Sequence, residues 1–407
     1  MSAAPAPSPP AHADVVVVGG GVIGLAAAWR MAQRAMAVAL VDPAPGRGAS
    51  WAAAGMLAPV SEVHHGEEPL LALALASAAR WPAFAAELVA ASGRDVGYRA
   101  TGTLVVAFDD GDRAWAAELH RFQTQLGLDV EWLSGREARR REPALAPGVR
   151  AAIWVGGDHQ VDNRRLVRAL VHVAVASGVR LHPRRAVSVR GGTPGAEVAL
   201  DDGSSITAGA VVVAAGSWSG GLAGLPEGAV PPIRPVKGQI LRLSPTPEAP
   251  VLGTTVRGIV QGASLYLVPR GDGTVVVGAT MEERGFDTEV RAGAVYELLR
   301  DARRVVPGVA EMALAEASAG LRPGSPDNAP VIGAVEGRGV PGLVLATGHH
   351  RQGILLTPLT AEAVAAIVAG EEAPAAVVPF GPGRFGAGRA GAGGSGTGPT
   401  PPARATP

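Results

Sequence analysis

The sequence predicts an α/β fold. A parallel sheet is laid down at the start, middle and end of the chain, and antiparallel strands are inserted between these visits. Three observations predict it. A strand, glycine turn, helix and second strand open the chain at 14–42. VVVAAG at 211–216 and GLVLATGHHRQGILLTPLTAEAVAAIVAG at 342–370 are further strands running into glycine turns. Between those two lie QILRLS, SLYLVPR and TVVVGATM, short runs separated by Gly/Pro turns, as in an antiparallel sheet.

The elements follow in order. Val15–Val18 is a run of four valines, the pattern of a strand buried on both faces. A helix is predicted from about Val22 to Ala35, and a second apolar run, Val38–Val41, ends in Asp42. Residues 70–92 are Ala/Leu-rich and helical, and 98–108 read as strand. Helices are expected near 111–127, 134–141, 162–177 and 290–304, with a short strand at 179–181. VRG at 189–191 and EVAL at 197–200 flank turns. The resulting division is discontinuous. Residues 14–98, 151–228 and 318–380 form the nucleotide-binding domain, and 99–150 and 229–317 form a second domain. The Pro/Ala/Gly-rich tails, 1–13 and 381–407, have too few large apolar side chains to offset the entropy of ordering and are expected to be disordered.

Composition removes several function classes. The 407 residues are 47% hydrophobic, enough for a sizeable core, and Lys+Arg balances Asp+Glu at 36 each. A neutral chain carries no electrostatic footprint for nucleic acid. The absence of cysteine excludes disulfides, thiolate metal sites and any cofactor tethered through sulfur. The nine histidines show no metal-ligand spacing, and the adjacent pairs His64-His65 and His349-His350 are poorly placed to share an ion, so no metal is expected. The longest apolar stretch, Val15 to Trp29, is interrupted by Gly19, Gly20, Gly21 and Gly24 and is too short to span ~30 Å of hydrocarbon. The preceding segment has no Lys or Arg, unlike a secretory leader. No membrane association is expected, and the location is expected to be cytoplasmic.

Gly19, Gly21 and Gly24 make G-x-G-x-x-G directly after a strand and at the opening of a helix. The first glycine permits the turn, the second lets backbone approach a pyrophosphate, and the third lets helix and strand pack. The N–H groups at Val22 and Ile23 open that helix and face the phosphates. Asp42, followed by Pro43, ends the second strand, where a carboxylate accepts ribose hydroxyls. The motif alone does not separate NAD from FAD. The further turns at Gly216 and at 348–355 put several chain segments around one long dinucleotide, which favours FAD.

Seven stretches carry a family resemblance: VVVVGGGVIG (15–24), SWAAAGML (50–57), PVKGQILRL (235–243), YLVPR (266–270), VVVGATME (275–282), AGLRPGSPDNAPVIG (319–333) and GHHRQGILLTP (348–358). In this order the chain resembles the D-amino-acid oxidase family of FAD-dependent oxidoreductases, and within it the glycine oxidase branch of thiamine biosynthesis. The resemblance implies a glutathione-reductase-like Rossmann FAD domain with an inserted mixed-sheet substrate domain. It also implies non-covalent FAD, oxidative deamination of a small amino-acid substrate with O₂ reduced to H₂O₂, and a homotetramer. A D-amino-acid dehydrogenase and a sarcosine or N-methyl-amino-acid oxidase share these motifs and stay open as alternatives, and a non-catalytic FAD-binding scaffold is the alternative from outside the enzymes.

Residue by residue, the resemblance makes Arg322 the clamp for the substrate carboxylate, a role that suits a planar guanidinium able to give two parallel bonds. Tyr266 falls at the substrate site and Met281 lines the pocket. Ala49, Ser50, Ala54, Gly55 and Met56 form the loop beside the flavin, and the Val161 backbone meets the adenine end. His349, His350, Arg351, Gln352, Gly353, Ile354 and Leu355 form the turn and helix start beneath the flavin's pyrimidine edge, where N–H groups and a helix dipole would stabilise reduced flavin. No strong general base is evident. Lys237, the only lysine, reads as part of a domain-crossing strand. The sequence departs from the family pattern at Ser264, where some glycine oxidases carry His two residues before the tyrosine. The surrounding segment TTVRGIVQGAS also matches poorly.

Overall fold

The computed structural model describes residues 11–192, 195–247, 252–260, 262–336 and 339–385. Val331–Ala334, Leu343–Thr347, Ser205–Val213, Ala11–Val18, Val38–Val41 and Arg180–His182 lie side by side in the first sheet. All neighbouring pairs are parallel except the first. Alternate valines of the opening strand serve opposite faces, as strand geometry requires. Val15 and Val17 pack with Leu25, Leu166 and Leu359 from the helices Val22–Gln33, Asn163–Ala176 and Thr357–Val368. Val16 and Val18 join Val189, Val198 and Ile206 of an antiparallel layer on the other face. That layer is built from Ala186–Gly192 and Gly195–Leu200, which pair with each other, and Gly195–Leu200 also pairs with the start of Ser205–Val213. Complete burial of each valine contributes about 1.5–3 kcal/mol, so this four-residue run anchors both faces.

The second sheet runs Ala313–Gly324, Arg234–Ser244, Val275–Gly278, Ala263–Pro269, Thr255–Val260, Thr103–Ala107, Ala151–Val155, Glu131–Ser134. It is antiparallel except where Thr255–Val260 runs parallel to Thr103–Ala107. The sheet is therefore mixed. Helix Ala292–Val305 covers it through Leu298, Ala302 and Val305, which pack on Leu241, Leu267 and Val277.

Several predicted boundaries move. Residues 151–155 and 318–324 were expected to belong to the nucleotide-binding domain, yet both pair into the second sheet. Apolar runs of this length do not reveal their partner strand. The first strand begins at Ala11, with His12 opposite Thr207, so 11–13 are not a disordered tail. At the other end Arg384 reaches Asp327 at 2.8 Å, which ties 381–385 to the fold. The remainder of the two expected tails, 1–10 and 386–407, lies outside the described residues. The helix expected over 70–92 is two helices, Glu68–Ala78 and Trp81–Ser92, with Pro82 in the first turn of the second. These two meet at 42°. Their side chains Leu70, Leu73, Trp81 and Leu88 are buried in the core. No single described helix is long and apolar enough to cross a membrane.

Candidate active site

A cavity of about 1780 Å³ runs from the carboxyl ends of the parallel strands, at Val18, Val41, Ala214 and Ala346, to the face of the second sheet that carries Tyr266 and Arg322. Ligands of open α/β sheets bind at that edge.

At the first end the site is made of backbone. Gly19 sits at φ +109°, and a Cβ there would meet the Ala214 carbonyl oxygen at 2.4 Å. A Cβ on Gly24 would stand 1.9 Å from the Gly19 oxygen. Gly24 therefore packs helix on strand and does not itself line the cavity. Helix Val22–Gln33 has no side-chain cap from its own Gly21. Ser50 Oγ, from the next loop, accepts from the Val22 N–H at 3.0 Å. The Asp42 carboxylate accepts from the Gly20 N–H and the Ala44 N–H, each at 2.7 Å. These bonds use one lone pair on each oxygen and leave the others for hydroxyl donors.

The loop 49–56 is held by a buried polar hub. Arg270, the arginine of YLVPR, donates to the Ala54 carbonyl at 2.6 Å, the Val161 carbonyl at 3.0 Å and Asn163 Oδ1 at 3.1 Å. Asn163 Nδ2 in turn donates to the Ser50 and Trp51 carbonyls at 2.8 and 2.9 Å. The Val161 N–H donates to the Gly55 carbonyl at 2.9 Å. Both backbone groups of Val161 are thus used within the protein, and Val161 stays out of the cavity. Arg185 and Ala186 line it instead, close to the Asp42 strand. Burial and the neighbouring Arg164 and Arg270 lower the Arg242 pKa to about 10, yet the guanidinium remains charged.

At the second end the site is made of side chains. Tyr266 stands opposite Gly278 on the neighbouring strand. A Cβ on Gly278 would touch the phenol oxygen at 2.3 Å, so the missing side chain makes room for the ring. Gly238 does the same for Arg322, whose guanidinium atoms lie 2.5–2.6 Å from the position a Cβ would take. Arg322 Nη1 donates to the Thr280 carbonyl at 3.2 Å, which fixes the side chain at the cavity wall. Burial pushes the Tyr266 phenol up, and Arg322 beside it opposes this, so the phenol stays protonated and can donate. Met281 is exposed at the mouth. Lys237 faces the other way, fully buried and bonded to Asp287 Oδ2 at 2.8 Å, a pairing that holds the Asp287 pKa well below the usual range.

Beneath the glycine turn at 348, burial lowers both His349 and His350 to about 3. Arg351, Arg322 and Arg234 add to the effect at His350. His349 Nε2 meets Thr360 Oγ1 at 3.1 Å, whereas both ring nitrogens of His350 are buried without a hydrogen-bond partner among the described residues. Each imidazole is neutral at pH 7 and a weak base. Of this turn, His349, His350, Arg351, Gly353 and Ile354 line the cavity. Gln352 and Leu355 do not. The Leu355 carbonyl instead accepts from Ser77 Oγ and Trp81 Nε1.

The family model described as FAD dependent oxidoreductase, DAO, matches residues 14–367. The chain belongs to the DAO family of FAD-dependent oxidoreductases. It is similar to the glycine oxidase of Geobacillus kaustophilus, with 36% identity over 90% of this chain and 96% of the relative. It is also similar to the bifunctional protein ThiO/ThiG of Synechocystis, with 33% identity over 91% of this chain and 54% of that longer protein. The crystal structure of glycine oxidase from G. kaustophilus superposes with a TM-score of 0.83 at 35% identity, covering 91% of this chain and 98% of that one. Iminodiacetate oxidase (IdaA) from Chelativorans sp. BNC1 gives 0.80 at 29% identity, covering 90% and 98%.

The residues of this DAO-family chain fit FAD. The Gly19 and Gly21 backbone, the Val22 helix start and Asp42 suit the pyrophosphate and ribose. The unpartnered His350 nitrogens and the 349–354 backbone lie along the middle of the cavity, where a polar ring edge finds partners. Sequence reasoning missed Arg270, Asn163, Asp158, Glu62 and Arg257. Asp158 accepts from the Val60 and Ser61 N–H groups at 3.1 and 3.0 Å, and burial raises its pKa to about 6. It holds the segment that brings Glu62 to the cavity wall. The YLVPR match pointed at Arg270. Nothing local to Asp158 or Glu62 marks them, because their role appears only when distant strands meet.

Proposed function

We propose that this enzyme oxidises glycine and other small amino acids at the carbon next to the amine, with O₂ as electron acceptor and H₂O₂ as product. The observation that carries the reading is the placement of Arg322 and the Tyr266 phenol at one end of a cavity whose other end is the glycine turn. Arg322 holds the carboxylate and Tyr266 donates to it, which orients the α-C–H toward the middle of the cavity. Positioning of this kind supplies much of the rate. Bound FAD supplies the two-electron acceptor and passes the electrons to O₂. With His349 and His350 lowered to about 3, neither is a useful base near neutrality, so the substrate reacts with its amine already neutral. The imine then hydrolyses to the oxo acid and ammonia.

The ThiO/ThiG relative supports a place in thiamine biosynthesis, with glycine as the amine consumed. A cytoplasmic homo-oligomer, a tetramer, goes with this reading. The test is stoichiometric. Glycine under air should give glyoxylate, ammonia and H₂O₂ in equal amounts with uptake of one O₂. Glycine-dependent reduction of a quinone analogue without peroxide would make the chain a dehydrogenase instead. Light scattering of the holoenzyme checks the tetramer.

A further inference from the structure

Strands Thr255–Val260 and Ala263–Pro269, whose sequence around Ser264 matches the family poorly, pair antiparallel at the cavity wall and bring a second arginine to it. Arg257 pairs in register with Tyr266, and Ile259 with Ser264. Directly opposed residues of an antiparallel pair share a face. All four line the cavity. The Arg257 side chain is only 17% exposed, and its Nη1 lies 3.3 Å from Glu62 Oε1 and 3.2 Å from Ser61 Oγ. Its Nε and Nη2 have no partner among the described residues. A guanidinium offers five N–H donors in a fixed fork, and the nitrogens of Arg257 that bond neither Ser61 nor Glu62 are free to donate to an acceptor in the cavity it lines. Arg257 stands opposite Tyr266 across the strand pair, and Arg322 lies close enough to act on the same phenol. Glycine has one carboxylate and uses one of them.

We propose that Arg257 is a second acid-binding group, and that the preferred substrates are amines carrying two carboxylates. The inference rests on the oxidase reading and names its substrate class. Arg322 takes the carboxylate next to the reacting carbon. Arg257 takes the other through its free Nε–Nη2 edge, while Glu62 keeps Nη1. Ser264, small and on the same strand pair opposite Ile259, leaves room for the longer molecule. Glu62 is the competitor, because it holds the same guanidinium by a single long contact. A latch that merely closed the wall would respond to its loss in the same way for every substrate.

The holoenzyme is assayed with matched amines. Iminodiacetate is compared with sarcosine, which places the second acid on the nitrogen side. D-Aspartate is compared with D-alanine, which places it on the carbon side. At least one diacid should exceed its partner tenfold or more in kcat/KM, and the arm that does so locates the acid. Arg257→Gln should cut that ratio at least tenfold, Arg257→Lys should restore part of it, and Glu62→Gln should raise it. Inhibition gives a readout independent of turnover. Malonate should bind at least tenfold tighter than acetate, measured by perturbation of the flavin spectrum, and Arg257→Gln should erase the difference. Equal binding of malonate and acetate, or a diacid ratio that Arg257→Gln leaves unchanged, overturns the second acid site while glycine oxidation stands. Failure of every amine to reduce the flavin overturns the oxidase reading, and the malonate comparison still decides the role of Arg257.

Discussion

The two ends of the cavity are built from different materials. The glycine-turn end is backbone. Gly19 and Gly24 leave space that any side chain would fill, and Asp42 is locked by two N–H groups. The Tyr266 end is side chain. Arg322, Tyr266, Arg257 and Glu62 come from three strands and a loop, and the glycines at 238 and 278 serve only to seat them. Backbone sites tolerate little change, because no rotamer can relieve a clash of main-chain atoms. Side-chain sites can be altered one group at a time with the fold intact.

That contrast sets the order of the expected effects. The largest is at Gly24. Gly24→Val places carbon against the Gly19 carbonyl, 1.9 Å from where even a Cβ would sit, and should give protein without bound flavin or without a stable fold. Recovery of a yellow, folded Gly24→Val protein would break the comparison. Next is Arg322→Ala. Loss of two charge-assisted hydrogen bonds, about 1.5–3 kcal/mol each, should lower kcat/KM for glycine by about 10²–10⁴-fold while flavin content stays normal. A KM for glycine that does not change would remove Arg322 from the clamp. Tyr266→Phe should cost about tenfold, the worth of one hydrogen bond, and should act mainly on KM. An effect as large as that of Arg322→Ala would mean that the phenol does more than bind.

The last expected effects are in pH. His349 and His350 are held near 3 in the fold, against about 6.5 when unfolded. Below about 6.5 the unfolded state takes up protons that the folded state refuses, so stability falls as pH drops toward 3. Asp158 has the opposite sign. Its folded pKa of about 6 lies above the unfolded value, so acidification from 6 toward about 4 returns stability. Two histidines against one aspartate give a net loss of thermal stability in acid, and His350→Asn should lessen it. An acid limb unchanged by that substitution would contradict the burial of a neutral imidazole. With no enzyme base at work, the acid limb of kcat/KM should follow the substrate amine and move when sarcosine replaces glycine. A limb that stays in place would point to a titrating side chain.

Legibility in the sequence follows the same division. The glycine turn, the strands at 15–18, 38–41 and 343–347 and the Asp162 helix cap are local, and their residues state their conformation. The Asp162 carboxylate, at the start of the helix expected over 162–177, accepts from the Arg164 and Arg165 N–H at 2.9 and 3.0 Å. Arg322 and Tyr266 were found through motif resemblance, since no periodicity marks either as special. The Val161 expectation failed because a residue near the cofactor loop can serve it from behind. Val161 braces Gly55 and Arg270, and the cavity is lined by Arg185 and Ala186 instead. Residues 151–155 and 318–324 were placed in the nucleotide-binding domain but pair into the second sheet, because a short strand-like run does not name its partner strand. Arg257 and Glu62 are separated by nearly half the sequence and meet only through the strand register.

The central claim is that the Arg322–Tyr266 end delivers an amine to a reducible cofactor held at the glycine-turn end. The most direct test is anaerobic mixing of the holoenzyme with glycine, sarcosine and D-alanine, followed at the flavin band near ~450 nm. Bleaching by these amines, with recovery of the band and H₂O₂ on readmission of air, is the predicted result. A yellow protein that no amino acid bleaches would leave cofactor binding standing and contradict the proposed reaction.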